Sequence, residues 1–335
     1  MKKSILIIIG AFVILVLLAL TAGGCSRGRE QGAAGTAARQ YDILRIPTTT
    51  DVRSTIDVWV GEELGFFDEQ GIQFEYVGVI PSTQLVASVI AGKIDIGGAH
   101  INRTIAGISA GARIKAVVGG TETTRDIPHM VYITLADSPL RTPQDLAGQR
   151  VGLSLSGGCH EYTPLAYLKN AGIDDPKNKI QFTVLPETMM EQALRQKEID
   201  VAGFHRDPWQ IEATKEFRVM FSDYDVWQDI GGETPAYFSE KFIKEKPDVV
   251  KRYVAAMVKT HNWINANPDK AAEITAKRGN VDPKKIKRGY YTPNGLIREE
   301  TVTVWIKLLK DFGEIKGDIK PEQIYTNEFN PYYKK

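Results

Sequence analysis

Residues 84–100, QLVASVIAGKIDIGGAH, read as a helix followed at once by a strand. Val86, Val89 and Ile90 form one apolar helical face, Ala91-Gly92 ends the helix, and residues 94–99 are a short apolar run suited to a strand buried on both faces. His100 stands where that strand runs out. The arrangement returns about a hundred residues later in residues 190–205, MEQALRQKEIDVAGFH, where Glu198-Ile199-Asp200-Val201 echoes Lys93-Ile94-Asp95-Ile96. Each copy ends in a histidine. Ligands of open α/β sheets bind beyond the carboxyl ends of the strands. Two related units, each offering a polar residue at that edge, imply two similar lobes facing one cleft.

The start of the chain stands apart from this fold. Lys2 and Lys3 precede an apolar run over residues 5–20, and small residues follow up to Cys25, the order of a secretion signal over residues 1–24. Ala22-Gly23-Gly24-Cys25 resembles a bacterial lipobox, with Cys25 as the lipidated mature N-terminus, although a larger aliphatic residue is usual where Ala22 stands. An uncleaved membrane anchor is the other reading. In both, the rest of the chain sits outside the cytoplasmic membrane on a tether, with residues 25–40 as a Gly- and Ala-rich leash. The whole chain has 42 basic and 41 acidic side chains, a balance that argues against nucleic acid as a partner. Of two cysteines only Cys159 lies beyond the leader region, so no internal disulfide can form there.

Taken in order, residues 41–47 open with a strand. Thr48-Thr49-Thr50-Asp51 is a hydroxyl-rich loop before a helix over residues 54–64, whose first amides either attract an anion or are simply capped. A second strand covers residues 72–77, a helix residues 102–110, and a further strand residues 114–119. Several segments together, VGEELGFFDEQGI at 60–72, VIAGKIDIGG at 89–98, LAGQRVG at 146–152, Asp207-Pro208-Trp209 and FIKEKPD at 242–248, resemble the sulfonate, nitrate and thiamine-precursor binding proteins of ABC importers. The match runs from about Tyr41 to Ala276 in the family's order. It implies an α/β, two-lobed periplasmic-binding fold of type II with a two-strand hinge. Lobe I would take residues 41–136 and return over 233–335 with the C-terminal helices, and lobe II would take 137–232. The resemblance further implies a small-molecule solute, ABC permease subunits as partners, attachment to the membrane through the N-terminal lipid, no catalysis and no cofactor.

Four of the five histidines, His100, His129, His160 and His205, fall at positions that face such a cleft; His261 lies mid-helix and reads as structural. The candidate ligand-binding set is Thr49, Arg53, His100, Asn102, Glu122, His129, Ser156, Gly158, Cys159, His160, His205, Asp207 and Trp209. Backbone donors of Ser156 to Gly158 at a helix start suit a sulfonate or carboxylate, and Trp209 suits stacking on a heterocycle or packing in a core. Metal capture is the alternative, because imidazole and thiolate from His100, Cys159, His160 and His205 suit a transition metal as the bound ligand. Adjacent Cys159 and His160 also have the residue types of a nucleophile and its base, but neighbours on a helix point to different faces. The related pyrimidine-forming enzyme needs a cysteine-rich motif that this chain lacks. Cys25→Ala should abolish metabolic labelling of the protein with fatty acid; an unlabelled wild type would refute lipidation.

Overall fold

The computed structural model describes residues 40–48 and 56–334. The expected secretion signal and leash up to residue 39, with Cys25, and the candidates Thr49 and Arg53 therefore lie outside the described residues. Among the described residues, no helix is long and apolar enough to cross a membrane.

Both repeat units fold as their pattern demands. Helix Leu85–Ile90 turns at Gly92 (φ +66°) into strand Ile96–Gly98, and helix Glu187–Arg195 turns at Lys197 (φ +57°) into strand Val201–Phe204. In each turn two successive amides, Lys93 and Ile94 or Glu198 and Ile199, donate to one carbonyl, that of Ser88 or Ala193. The left-handed residue is what lets the chain reverse there, and glycine adopts it without strain.

A carboxylate then locks each strand to its neighbour. Asp95 accepts from the Arg45 amide at 2.8 Å and from its guanidinium at 2.6 and 3.1 Å, while the Asp95 amide donates to the Arg45 carbonyl at 2.8 Å. Asp200 does the same to Arg150, with 3.0, 2.8 and 2.9 Å and a return bond of 2.8 Å. Arginine matches a carboxylate through two parallel donors, so each pair fixes both distance and orientation.

The sheets built on these pairs have the same plan. Lobe II orders its strands Gln181–Val184, Arg150–Leu153, Val201–Phe204, Val131–Leu135 and Phe217–Ser222. The first three run parallel and Val131–Leu135 runs antiparallel between its neighbours. In lobe I, Asp42–Thr48 pairs in parallel with Ile72–Val79, and Ala236–Ser239 lies antiparallel between Ile96–Gly98 and Ile114–Val118. The Arg45–Asp95 pair joins these two strand groups. In each lobe, then, the antiparallel strand is the one that has just crossed from the other lobe. Val131–Leu135 was expected to leave lobe I ahead of a boundary at residue 137; its pairing instead puts it inside the lobe II sheet.

The two crossings are tied to each other. Gly120 N donates to Glu233 Oε1 at 2.8 Å, Thr121 N to Thr234 Oγ1 at 2.9 Å, and Met130 N to Asp223 Oδ1 at 3.0 Å. Helix Glu299–Asp311 closes the seam, with Trp305 fully buried against Trp227 (ring centroids 4.7 Å) and Tyr162 (6.4 Å). One apolar cluster runs from Ile101 and Ile105 through Trp305 to Leu165 and Val151, so both lobes share it. Helix Pro247–Ala266 covers the outer side of lobe I with Val250, Tyr253, Val254 and Met257.

Asp95 is the more deeply buried of the two locking carboxylates, its side chain 9% exposed against 26% for Asp200. Asp95→Ala leaves a buried amide and a guanidinium without their acceptor and should cost about 2 kcal/mol or more. Asp200→Ala should cost less, and urea unfolding of both variants checks the order.

Candidate functional site

Histidines and one cysteine meet where the lobes face each other, each carried by a rigid element. His205 follows strand Val201–Phe204. Cys159 and His160 open helix Cys159–Asn170, and the Tyr132 hydroxyl holds that helix start by donating to the carbonyls of His160 (2.8 Å) and Cys159 (3.4 Å). His129 sits on the first crossing, where its amide donates to Thr123 Oγ1 at 3.2 Å. His100 caps helix Ile101–Ser109, its side chain accepting from the Asn102 amide.

Their side chains converge. His129 Nε2 lies 3.2 Å from His205 Nε2, and Cys159 Sγ lies 3.6 Å from the first and 3.8 Å from the second. Ring centroids of His100 and His129 are 5.0 Å apart, and those of His160 and His205 4.5 Å. Ser154 Oγ holds His160 by Nδ1 at 3.0 Å. Cys159, His160 and His100 are all buried.

Burial decides the protonation of this cluster. It pushes the His100 imidazole down to about 4, with Arg103 adding to the effect against hydrogen bonds to Gly231 and Asn102. It pushes His129 well below its ordinary value, assisted by His100, Lys287 and His160. The Cys159 thiol goes up to about 12, first by burial and then through Asp223. At neutral pH His100 and His129 are thus neutral imidazoles and Cys159 a protonated thiol. A thiol held that high is no nucleophile, and its sulfur faces His129 and His205 rather than His160.

The other expected residues divide. Asn102 is buried and spans the cleft, its Nδ2 donating to the Gly157 carbonyl at 3.2 Å while its Oδ1 meets His100 Nδ1 at 3.0 Å. Gly158 is the cap of helix Cys159–Asn170 and packs against Arg103, whose Nη2 donates to the Ser156 carbonyl at 3.2 Å; Ser156 itself is exposed. Glu122 is held elsewhere, accepting from Arg298 Nε at 2.8 Å on the crossing. Asp207 is fully buried and accepts from the Trp209 indole and the Arg288 amide, both at 3.1 Å. Trp209 is 40% exposed, with Arg288 over its ring, so it does not line a core.

Two residues escaped the reading of the sequence. Glu187 brings a carboxylate close to His160 and His205, their candidate ligand atoms all within 4.8 Å of one another. It follows strand Gln181–Val184, so the same edge rule that singled out His100 and His205 applies to it. Trp305 donates from Nε1 to the Gly231 carbonyl at 3.0 Å, the carbonyl that also meets His100 Nε2 at 3.0 Å, and its ring stands edge-on to His100. Nothing local in its helix marked Trp305 as more than core.

With sheet order, crossings and interlobe pocket in place, the protein has the α/β periplasmic-binding-protein fold. The chain belongs to the NMT1/THI5-like family, whose model matches residues 54–271. It is 22% identical over 306 residues to a Brucella abortus (strain 2308) protein named as a binding protein, covering 85% of this chain and 91% of that one. Three solved structures share the fold. The periplasmic aliphatic sulphonate-binding protein SsuA of Escherichia coli superposes with a TM-score of 0.66 at 17% identity, over 84% of this chain and 91% of that one. The nitrate-binding protein NrtA of Synechocystis PCC 6803 gives 0.68 at 12%, over 86% and 87%. The ligand-binding component of an ABC-type import system from Staphylococcus aureus, solved with zinc bound, gives 0.68 at 12%, over 87% and 98%.

Beside the site, Glu233 carries a testable charge. Burial raises its carboxyl from 4.5 to about 8, with neighbouring Glu122 adding to the rise against hydrogen bonds from Gly120 and Thr292. The unfolded chain ionises at the lower value and the folded one at the higher, so stability falls as pH climbs through that window. Glu233→Gln keeps an acceptor for Gly120 and cannot ionise. Its melting temperature should therefore vary less than the wild type's between about pH 5 and pH 8; parallel curves would absolve Glu233.

Proposed function

We propose that this protein is the extracytoplasmic solute-binding component of an ABC importer, which takes a small solute between its lobes and hands it to the permease. The observation that carries this reading is the convergence of His100, His129, Cys159, His160 and His205, drawn from both lobes and a crossing, on one buried pocket. A site assembled from two lobes forms fully only when they close, and closure presents one shape to a transporter. Kinship with binding proteins supports the reading, as do the SsuA, NrtA and Staphylococcus aureus structures. The apolar run before Cys25 supports placement outside the cytoplasmic membrane on a lipid anchor.

Binding rather than catalysis suits the site, because burial keeps the Cys159 thiol protonated and the His100 and His129 imidazoles neutral. An organic anion or a heterocycle is the cargo that the sulfonate- and nitrate-binding structures suggest. Arg103, at the mouth beside Gly158, favours that cargo, whereas the cluster of His129, Cys159 and His205 favours a second reading, a transition-metal ion as cargo.

The test is ATP hydrolysis by vesicles of the host's cytoplasmic membrane, with the full-length chain purified together with whatever it carries. Severalfold stimulation of vanadate-sensitive hydrolysis is expected. A chain that leaves hydrolysis unchanged at saturating concentration is not an importer's binding protein.

A further inference from the structure

Two buried histidines in this chain are held by ordinary partners. His261 Nε2 meets Asp57 at 3.2 Å and the ring stacks on Tyr291. His100 has Gly231 on one nitrogen and Asn102 on the other. His129 and His205 each turn Nε2 toward the other and toward the Cys159 sulfur. A hydrogen bond between two imidazoles needs only one such approach and gives the thiol no reason to join it.

The triangle of Nε2, Nε2 and Sγ measures 3.2, 3.6 and 3.8 Å. A tetrahedral ion with bonds of about 2.0 Å to imidazole nitrogen and about 2.3 Å to thiolate sulfur spaces two nitrogens about 3.3 Å apart, and nitrogen from sulfur about 3.5 Å. The three side chains therefore already stand at the separations of one face of such a polyhedron. Each is carried by a different rigid element: the first crossing, the start of helix Cys159–Asn170 and the end of strand Val201–Phe204. His160, whose ring lies 4.5 Å from that of His205, has Ser154 Oγ 3.0 Å from Nδ1 and 3.4 Å from Nε2, and its ligand atom lies within 4.8 Å of those of His205 and Glu187.

We propose that Cys159, His129 and His205 are three ligands of a site for a late first-row transition-metal ion, that His160 completes a tetrahedral set, and that this ion is the protein's cargo. Imidazole and thiolate together select such ions over calcium or magnesium, which take oxygen. On binding, a metal–sulfur bond replaces the sulfur–hydrogen bond and the thiol proton leaves to water; no oxidant or reductant is involved. The identity of the cargo rests on the importer reading above, whereas the metal site does not.

Cobalt(II) titration of the full-length, chelator-stripped chain in detergent tests the site. One ion per chain should bind, with the intense visible bands of tetrahedral cobalt and a thiolate-to-cobalt charge-transfer band in the near ultraviolet, both bleached by zinc(II). Cys159→Ser should lose the charge-transfer band and His205→Gln should weaken binding by about 100-fold, with circular dichroism showing both variants folded. Absence of cobalt uptake overturns the site, as does an unchanged charge-transfer band in Cys159→Ser. Native mass spectrometry of the unstripped chain tests the cargo. A metal-free organic adduct, combined with stimulated ATP hydrolysis, would overturn the metal cargo and leave the importer reading standing. Metal binding without stimulation would overturn the importer reading, and the metal cargo with it, and leave the metal site standing.

Discussion

Two buried-edge ion pairs set the geometry on which everything else hangs. Arg45 with Asp95 and Arg150 with Asp200 each join the first strand of a lobe to its third through a bidentate contact and two backbone bonds. Five residues beyond each aspartate comes a histidine, His100 or His205. Because the aspartate fixes how far the strand slides along its neighbour, it also fixes where that histidine emerges. The pair is a ruler as much as a bond. Its worth in stability is modest, since both guanidiniums are more than a third exposed and partly screened.

That repeated ruler explains what the sequence revealed and what it hid. Helix, turn and strand were legible at 84–100 and 190–205 because short-range chemistry dictates them: an apolar face, a reversal, a run buried on both sides. The two lobes followed, and with them the convergence of the histidines. Arg45 and Arg150 were not recognised as partners of the aspartates, because fifty residues separate each pair and only the fold closes that distance. The boundary near residue 137 erred for a similar reason. An antiparallel strand inserted into a parallel sheet has the same buried, β-branched sequence whichever lobe owns it.

Asp207 and Trp209 show how far equivalent places can diverge. Sequence order placed them near the cleft edge, and Asn102, at the matching point of the first unit, does reach across to Gly157. In the second unit that position became a helix cap tied to Arg288, with Trp209 turned outward. Duplicated halves share a backbone plan while their side chains diverge, so equivalence of place did not carry equivalence of task. Glu187 is the converse case, an unremarkable glutamate in sequence brought beside His205 by the edge of the sheet.

At the mouth of the pocket the lobes touch through two light contacts, Asn102 to the Gly157 carbonyl and Arg103 to the Ser156 carbonyl, each 3.2 Å long. Hydrogen bonds of this kind contribute about 1 kcal/mol apiece, so as a latch they slow opening by little more than an order of magnitude. The dwell time of a captured solute is then written by the bonds inside the site and by the Asp207–Arg288 tie and shared apolar seam between the lobes, and not by these two contacts. A tightly held cargo must wait for the permease to pry the lobes apart, and a loosely held one leaves by itself.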